Sequence, residues 1–209
     1  MKIHGTRTAG NPVRVAIFLA EKGIEVPFVP VDLTRGAHKE PAFLAKNPAA
    51  EVPVLELDDG TCISETIAIC RYFERLKPSP ALMGIDALDE VIVEMWQRRV
   101  EFGLYDPARH VVRHSLPFAA ALEPVQIREW AELNRPRVLR AFEILDQQLA
   151  KQPFIAGPRF TVADITAFFA MGVTKSIDLA IPGGCRHLTR WRSEVSRRPS
   201  VAGVLGSAP

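Results

Sequence analysis

Cysteine is scarce in this chain. Cys62, Cys70 and Cys185 are the only three in 209 residues, and they form neither a CxxC pair nor a metal-ligand spacing. Cys62 and Cys70 sit among apolar neighbours and read as small core residues rather than redox groups. Net charge is also scarce: +2 overall gives no argument for a nucleic-acid partner. No apolar run approaches the length of a membrane span. The first ten residues, MKIHGTRTAG, lack the apolar core of a signal peptide. Together these absences predict a cytoplasmic chain with reduced thiols. What is present is ordinary globular material, 47% hydrophobic and 24% charged, enough for one large domain or two small ones.

The first half alternates strand and helix signals. Residues 2–5 form a short strand candidate, and the turn formers of residues 6–12 follow. Asn11 suits a helix N-cap and Pro12 its first position. Val13, Ile17, Phe18 and Ala20 give that helix an apolar face, and Lys22-Gly23 ends it. Residues 26–31 read as an edge strand, because Pro27 and Pro30 cannot donate to a ladder. A weak helix is expected around residues 40–45. Residues 47–74 then read as turn, strand, hairpin, strand and helix. Pro53 opens the first of these strands, Asp58-Asp59-Gly60 makes the turn, and Ser64 offers the next N-cap. A βαβ start with a later hairpin predicts a mixed four-stranded sheet. Where strand hands over to helix, at Ser64, Glu65 and Thr66, free N–H groups and the positive helix end suit a ligand carboxylate.

The proline-rich residues 78–87 predict a linker, dividing domains at 1–78 and 88–209. Beyond it the pattern is helical. Residues 89–115 carry a stripe of Ile92, Met95, Trp96, Arg99, Val100 and Gly103, with a kink expected at Pro107. Arg99, on that stripe, is expected to be the buried partner of a carboxylate. Residues 125–151 turn Trp130, Val138, Phe142, Leu145 and Leu149 inward, with a kink or boundary expected at Pro136. Thr161 to Asp164 resembles a capping box opening a buried helix, and Asp164 is expected to accept from the loop around Gly157. Residues 185–198 read as the last helix.

With these motifs in order, Val-Pro at 52–53, Ser-Glu-Thr at 64–66 and Thr-Val-Ala-Asp at 161–164, the chain resembles a cytosolic glutathione transferase over nearly its whole length. The stretches RVAIFLAEKGI and FLAKNPAAEVPVLELDDGT resemble a bacterial–fungal branch whose members lack the usual catalytic side chain. The resemblance implies a thioredoxin-like N-terminal domain and an all-helical C-terminal one, glutathione as co-substrate, no metal, and a homodimer. It also implies a cis peptide at Val52-Pro53, turning the backbone of Val52 toward the cysteine unit of glutathione. Glu65 and Thr66 would hold the γ-glutamyl end, and His38 and Lys39 lie where the family places a cation for the glycine carboxylate. Read alone, Glu65 only compensates a helix dipole; with Val52-Pro53 upstream, the ligand role is favoured.

The chemistry needs a thiolate, whereas a free thiol has a pKa of about 8.5. The family's Tyr, Ser or Cys after the first strand is missing: no Tyr or Ser precedes Cys62, and no Cys precedes it either. Thr8 and Asn11 remain in that loop as donors. His114 and Ser115, at the end of the first long helix, match residue types that atypical members of the branch use through water. His110 lies four residues before His114 on the same helix face. An acceptor pocket between the domains is expected, with Trp96, Tyr105 and Phe118 as linings. The leading expectation is a glutathione transferase acting on small electrophilic or hydrophobic acceptors. A glutathione-dependent disulfide reductase or peroxidase, and a non-catalytic glutathione-binding scaffold, are the alternatives.

Overall fold

A computed structural model describes residues 1–6 and 10–206. The chain forms two compact units, one of Met1–Leu82 with the tail from Arg198, the other Met83–Arg197.

The first unit is built on a four-stranded sheet in the order β2-β1-β3-β4, from β1 (Lys2–His4), β2 (Phe28–Val29), β3 (Val54–Glu56) and β4 (Cys62–Ile63). β1 pairs parallel with β2 and antiparallel with β3, and β3 pairs antiparallel with β4. The sheet is therefore mixed, in the thioredoxin-like arrangement. β2 is an edge strand of only two residues, because Pro27 and Pro30 bracket it. The hairpin closes on Gly60, at a φ of 86° that suits glycine. Asp59 tightens the turn by accepting from the Thr61 N–H at 2.9 Å.

Helices α1 (Pro12–Lys22) and α3 (Thr66–Leu76) pack on each other, and the short α2 (Pro41–Leu44) sends Phe43 into a cluster with Val31 and Val54. α1 starts on Pro12 and ends on a left-handed Gly23, as its sequence requires. Lys22 is wholly buried. Its Nζ donates to the carbonyls of Lys77 and Pro80, each at 2.7 Å, and pairs with Glu74 at 2.6 Å. Glu74 in turn accepts from the Leu82 N–H at 3.0 Å. One ammonium thus ties the ends of α1 and α3 to the segment after α3. That segment is no loose linker, since Leu82 is buried.

The second unit is helical. α4 (Ala87–Val100) runs through a π-helical turn, Glu101–Tyr105, into α5 (Asp106–Ser115). Pro107 thereby falls directly after the π turn, where the altered hydrogen-bond ladder accommodates its missing N–H. Trp96 and Val100 are buried as the stripe predicts, but Val93, Gln97 and Leu104 complete the buried face in place of Ile92, Met95, Arg99 and Gly103. A fully buried glutamine, Gln97, hides that face from a hydrophobicity reading. Arg99 is exposed, not a buried carboxylate partner, and its guanidinium lies 4.8 Å over the Trp96 ring. α6 (Arg128–Leu149) runs unbroken through Pro136. Pro136 and Glu132 are both exposed, so the carbonyl left without an N–H faces water.

α7 (Val162–Lys175) opens with the expected capping box. Asp164 is fully buried and accepts from Thr161 N–H at 2.9 Å and Trp191 Nε1 at 2.8 Å. The loop around Gly157 reaches it as expected, through the Ile155 N–H at 3.0 Å. α8 (Arg186–Ser196) is not the last helix. α9 (Pro199–Gly206) follows and packs on α1, where Arg198 grips Glu21 with two bonds of 2.8 and 3.0 Å.

Candidate functional site

Three local structures meet at one end of the sheet. β1 and β3 pair His4 with Val54, and β3 and β4 pair Leu55 with Ile63. Continued past the strand ends, those registers place Gly5, Pro53 and Glu65 side by side. Gly5 has no room for a side chain: a Cβ there would lie 2.9 Å from Pro12 at the head of α1 and 3.6 Å from Val52. The end of β1, the start of α1 and the loop before β3 therefore close on one another. The Val52-Pro53 peptide is cis, as the resemblance implied.

Asn47 shapes that loop. It is buried, its Nδ2 donates to the Glu51 carbonyl at 2.8 Å, and its Oδ1 accepts from the Ala49 N–H at 3.1 Å. Gly5 and Asn47 were not singled out from sequence. An Asn before Pro48, and a Gly closing a strand, are the signals the sequence offers.

Glu65, not Ser64, is the N-cap of α3. Its backbone has a φ of 69°, a left-handed conformation that a residue with a side chain adopts at a cost of about 1–3 kcal/mol. The carbonyl of Glu65 accepts the first helical bond, from Ile69 at 3.0 Å, while its side chain makes no cap bond and is exposed. The carboxylate is thus turned out, beside Thr66 at the first helical position and the free N–H groups of α3. Asn11 stands at the N-cap of α1 without capping it. Its Oδ1 instead lies 3.4 Å from a guanidinium nitrogen of the buried Arg14. Thr8 lies outside the described residues.

His38 and Lys39 end the short turn Ala37–Lys39 before α2; His38 is buried and Lys39 exposed. Nearby on the sheet, Glu56 gathers three side-chain donors: Lys46 at 2.6 Å, His4 at 2.7 Å and Lys2 at 3.2 Å. The hydrogen bonds from Lys46 and then His4 hold its carboxyl down at about 2. Cys70 lies buried in this unit, and desolvation pushes its thiol up to about 12, so it is inert.

In the helical unit, Ser115 spends its hydroxyl proton on the Val111 carbonyl, at 2.6 Å within its own helix. His114 accepts from the Ile127 N–H through Nδ1 at 3.1 Å, which leaves Nε2 to carry its proton. His110 stacks on His114 with ring centres 6.0 Å apart and meets Trp130 edge-on at 5.6 Å. Burial lowers its pKa, against the pull of Asp106. Of the expected pocket linings, Trp96 lines a cavity in this unit, Tyr105 packs on Phe169 at 5.5 Å, and Phe118 is exposed. Among the described residues no cluster of three or more His, Cys, Asp or Glu has metal-binding geometry.

The fold and these motifs have counterparts. Residues 1–75 match the glutathione S-transferase N-terminal domain, and residues 110–199 its C-terminal domain. Glutathione S-transferase 2 of Saccharomyces cerevisiae is 38% identical over 98% of this chain and 89% of its own length. The crystal structure of Gtt2 from Saccharomyces cerevisiae matches with a TM-score of 0.92, at 38% identity, over 98% of this chain and all of that one. A glutathione S-transferase domain-containing protein of Marinobacter aquaeolei is 40% identical, also at 0.92, over 96% of this chain and all of its own. The chain belongs to the glutathione S-transferase family. Within that family it falls in the Gtt2-like branch.

Proposed function

We propose that this protein is a glutathione transferase that activates glutathione as its thiolate for attack on small electrophilic or hydrophobic acceptors. The observation that carries the reading is Glu65. A carboxylate on a strained backbone, unspent on its own helix and set beside helix N–H groups, is arranged for a ligand bearing both ammonium and carboxylate. The γ-glutamyl end of glutathione is such a group. Glu65 accepts from its ammonium, while Thr66 and the first N–H groups of α3 donate to its carboxylate. The cysteine unit runs along Val52-Pro53 as an added strand does. Lys39, with His38 beside it, meets the glycine carboxylate.

The sulfur then lies toward the start of α1. There the Asn11 amide, the Thr8 hydroxyl and the helix N–H groups can donate to a thiolate and lower its pKa. His114 and Ser115 are the candidates from the helical half. Ser115 must release Val111 before it can donate elsewhere. Pairing of two copies is supported by an exposed apolar row on α4, Leu88, Val91 and Met95. The charges of α3 and α4 support it less, since Glu74 serves Lys22 and Arg98 serves Glu94 and Glu101.

The test is calorimetric titration with glutathione, followed by turnover of a chloro-nitroaromatic and of hydroxyethyl disulfide. Binding with conjugation supports the proposal. Binding with disulfide reduction alone makes the protein a reductase, and binding without either turnover makes it a scaffold.

A further inference from the structure

The segment that carries His38 and Lys39 has little of its own to hold it. It consists of the turn Ala37–Lys39 and the four-residue α2, each far too short to be a stable helix alone. Between residues 37 and 46 only His38 and Phe43 are buried. The position of the segment is therefore set by what it touches on the sheet.

Residues paired directly across a sheet share a face, as do residues two apart on one strand. Lys2 pairs with Glu56, His4 with Val54, and Cys62 with Glu56. These five side chains make one face, and α2 lies on it. Phe43 joins Val31 and Val54 in a cluster against which Ala37 and Cys62 pack, and its ring meets His4 edge-on with centres 6.4 Å apart. Such apolar contact fixes how deep the segment sits but has no preferred direction. Direction comes from the far end of the segment. Lys46, just after α2, donates to Glu56 Oε2 at 2.6 Å, and His4 Nε2 bonds the same oxygen at 2.7 Å. Lys2 takes Oε1 at 3.2 Å. Charge-assisted bonds are short and oriented. Glu56 is thus a fixed post on the sheet, and Lys46 ties the segment to it.

The next residue separates two tasks. Asn47 is held by its own bonds to Glu51 and Ala49, so the loop leading to Val52-Pro53 keeps its shape without Glu56. The Lys46–Glu56 tie acts in the other direction, on the residues leading back to Lys39. There the Nδ1 of His38 is buried and, among the described residues, has no hydrogen-bond partner, as befits an atom that a ligand satisfies.

We infer, on the placement of the glycine end of glutathione proposed above, that Lys46 and Glu56 are positioning residues for that end. Neither meets the ligand. They hold residues 37–46 in the orientation from which Lys39 and His38 reach the glycine carboxylate. Loss of the tie weakens recognition of that carboxylate and leaves the γ-glutamylcysteine part of the site as it was.

The test compares glutathione with γ-glutamylcysteine, which lacks the glycine, by calorimetric titration of the full chain near neutral pH. Wild type should favour glutathione by about tenfold or more, the worth of one charge-assisted bond, and Lys39→Ala should remove most of that preference. Glu56→Gln and Lys46→Met should each cut the preference by about threefold or more, through weaker glutathione binding alone. Lys46→Arg, which keeps an ion pair with Glu56, should retain it. A wild type without preference, or a Lys39→Ala variant that keeps it, would overturn both the placement of the glycine end and the role of the tie. A preference lost in Lys39→Ala but intact in Glu56→Gln and Lys46→Met would overturn the role of the tie alone. So would equal weakening of both ligands, the mark of a merely structural part.

Discussion

The indole nitrogen of Trp191 donates to the carboxylate of Asp164 at 2.8 Å, with both residues wholly buried. The same carboxylate takes the N–H groups of Ile155 and Thr161, so one charge organises the start of α7, the loop before it and α8. Asp164→Ala should cost on the order of 4 kcal/mol at neutral pH, by leaving several buried donors unpaired. Trp191→Phe, which removes one charge-assisted bond, should cost about 1.5–3 kcal/mol. Burial raises the Asp164 carboxyl to about 6, despite those donors. The unfolded chain releases that proton near pH 4. Between about pH 4 and 6 the folded state holds more protons, so this group's contribution falls as pH rises. The stability gap between wild type and Asp164→Ala in urea unfolding should narrow across that window and stay level above it.

Glu56 has the opposite sign. Lys46 and His4 hold its carboxyl at about 2, below its unfolded value, so its contribution is present above about pH 4.5 and is lost as pH falls toward 2. Glu56→Gln should therefore be less stable than wild type near pH 6 and indistinguishable from it near pH 2. Thermal unfolding across that range is the measurement, and a gap that does not close on acidification would contradict the assignment.

Lys22→Met should destabilise by roughly 3–5 kcal/mol, because it removes the buried ammonium that Glu74 and the Lys77 and Pro80 carbonyls share. Lys22→Met combined with Glu74→Leu should recover much of that loss. A double variant no better than the single would mean that the two carbonyl bonds, not the ion pair, carry the effect.

Glu65 offers a separation of stability from binding. Glu65→Ala should weaken glutathione binding by about 10- to 100-fold with helical content unchanged. Glu65→Gly should lose the same affinity yet gain about 1 kcal/mol of stability, since glycine adopts a φ of 69° without strain. Calorimetry and thermal unfolding on the same samples decide it. Unaltered affinity in both variants would remove Glu65 from the site.

Asn11→Ala should raise the pKa of enzyme-bound glutathione, read from thiolate absorbance in the ultraviolet. A bound thiol that titrates as before would move the donor to Thr8, the α1 backbone or the helical unit.

Much of this was legible where the cause is local. The Asp-Gly turn, the Pro12 start and Gly23 end of α1, and the Thr161–Asp164 box each depend on a few adjacent residues, and each formed as its chemistry requires. The left-handed backbone of Glu65 was not legible, because nothing in Ser-Glu-Thr says which residue will be held against its preference. Of the α4 stripe only Trp96 and Val100 are buried as expected, since a buried Gln97 looks like a surface residue in sequence. In sequence Lys22 marks only the end of a helix; distant carbonyls and Glu74 make it a core residue. The loop at Asn47 was read as turn formers, but its hydrogen bonds are made by geometry that composition does not carry.

The return of the tail from Arg198 to the first unit makes the helical unit, Met83–Arg197, an insertion within it rather than a successor to it. During synthesis the sheet and its helices leave the ribosome first, yet the segment that packs on α1 leaves only after the whole helical unit. The helical unit can complete itself while the first still waits for Arg198 to reach Glu21. The order of completion then reverses the order of translation. A stop shortly after α8 would spare the unit it interrupts least in sequence and damage the one whose coding region lies at the opposite end of the message.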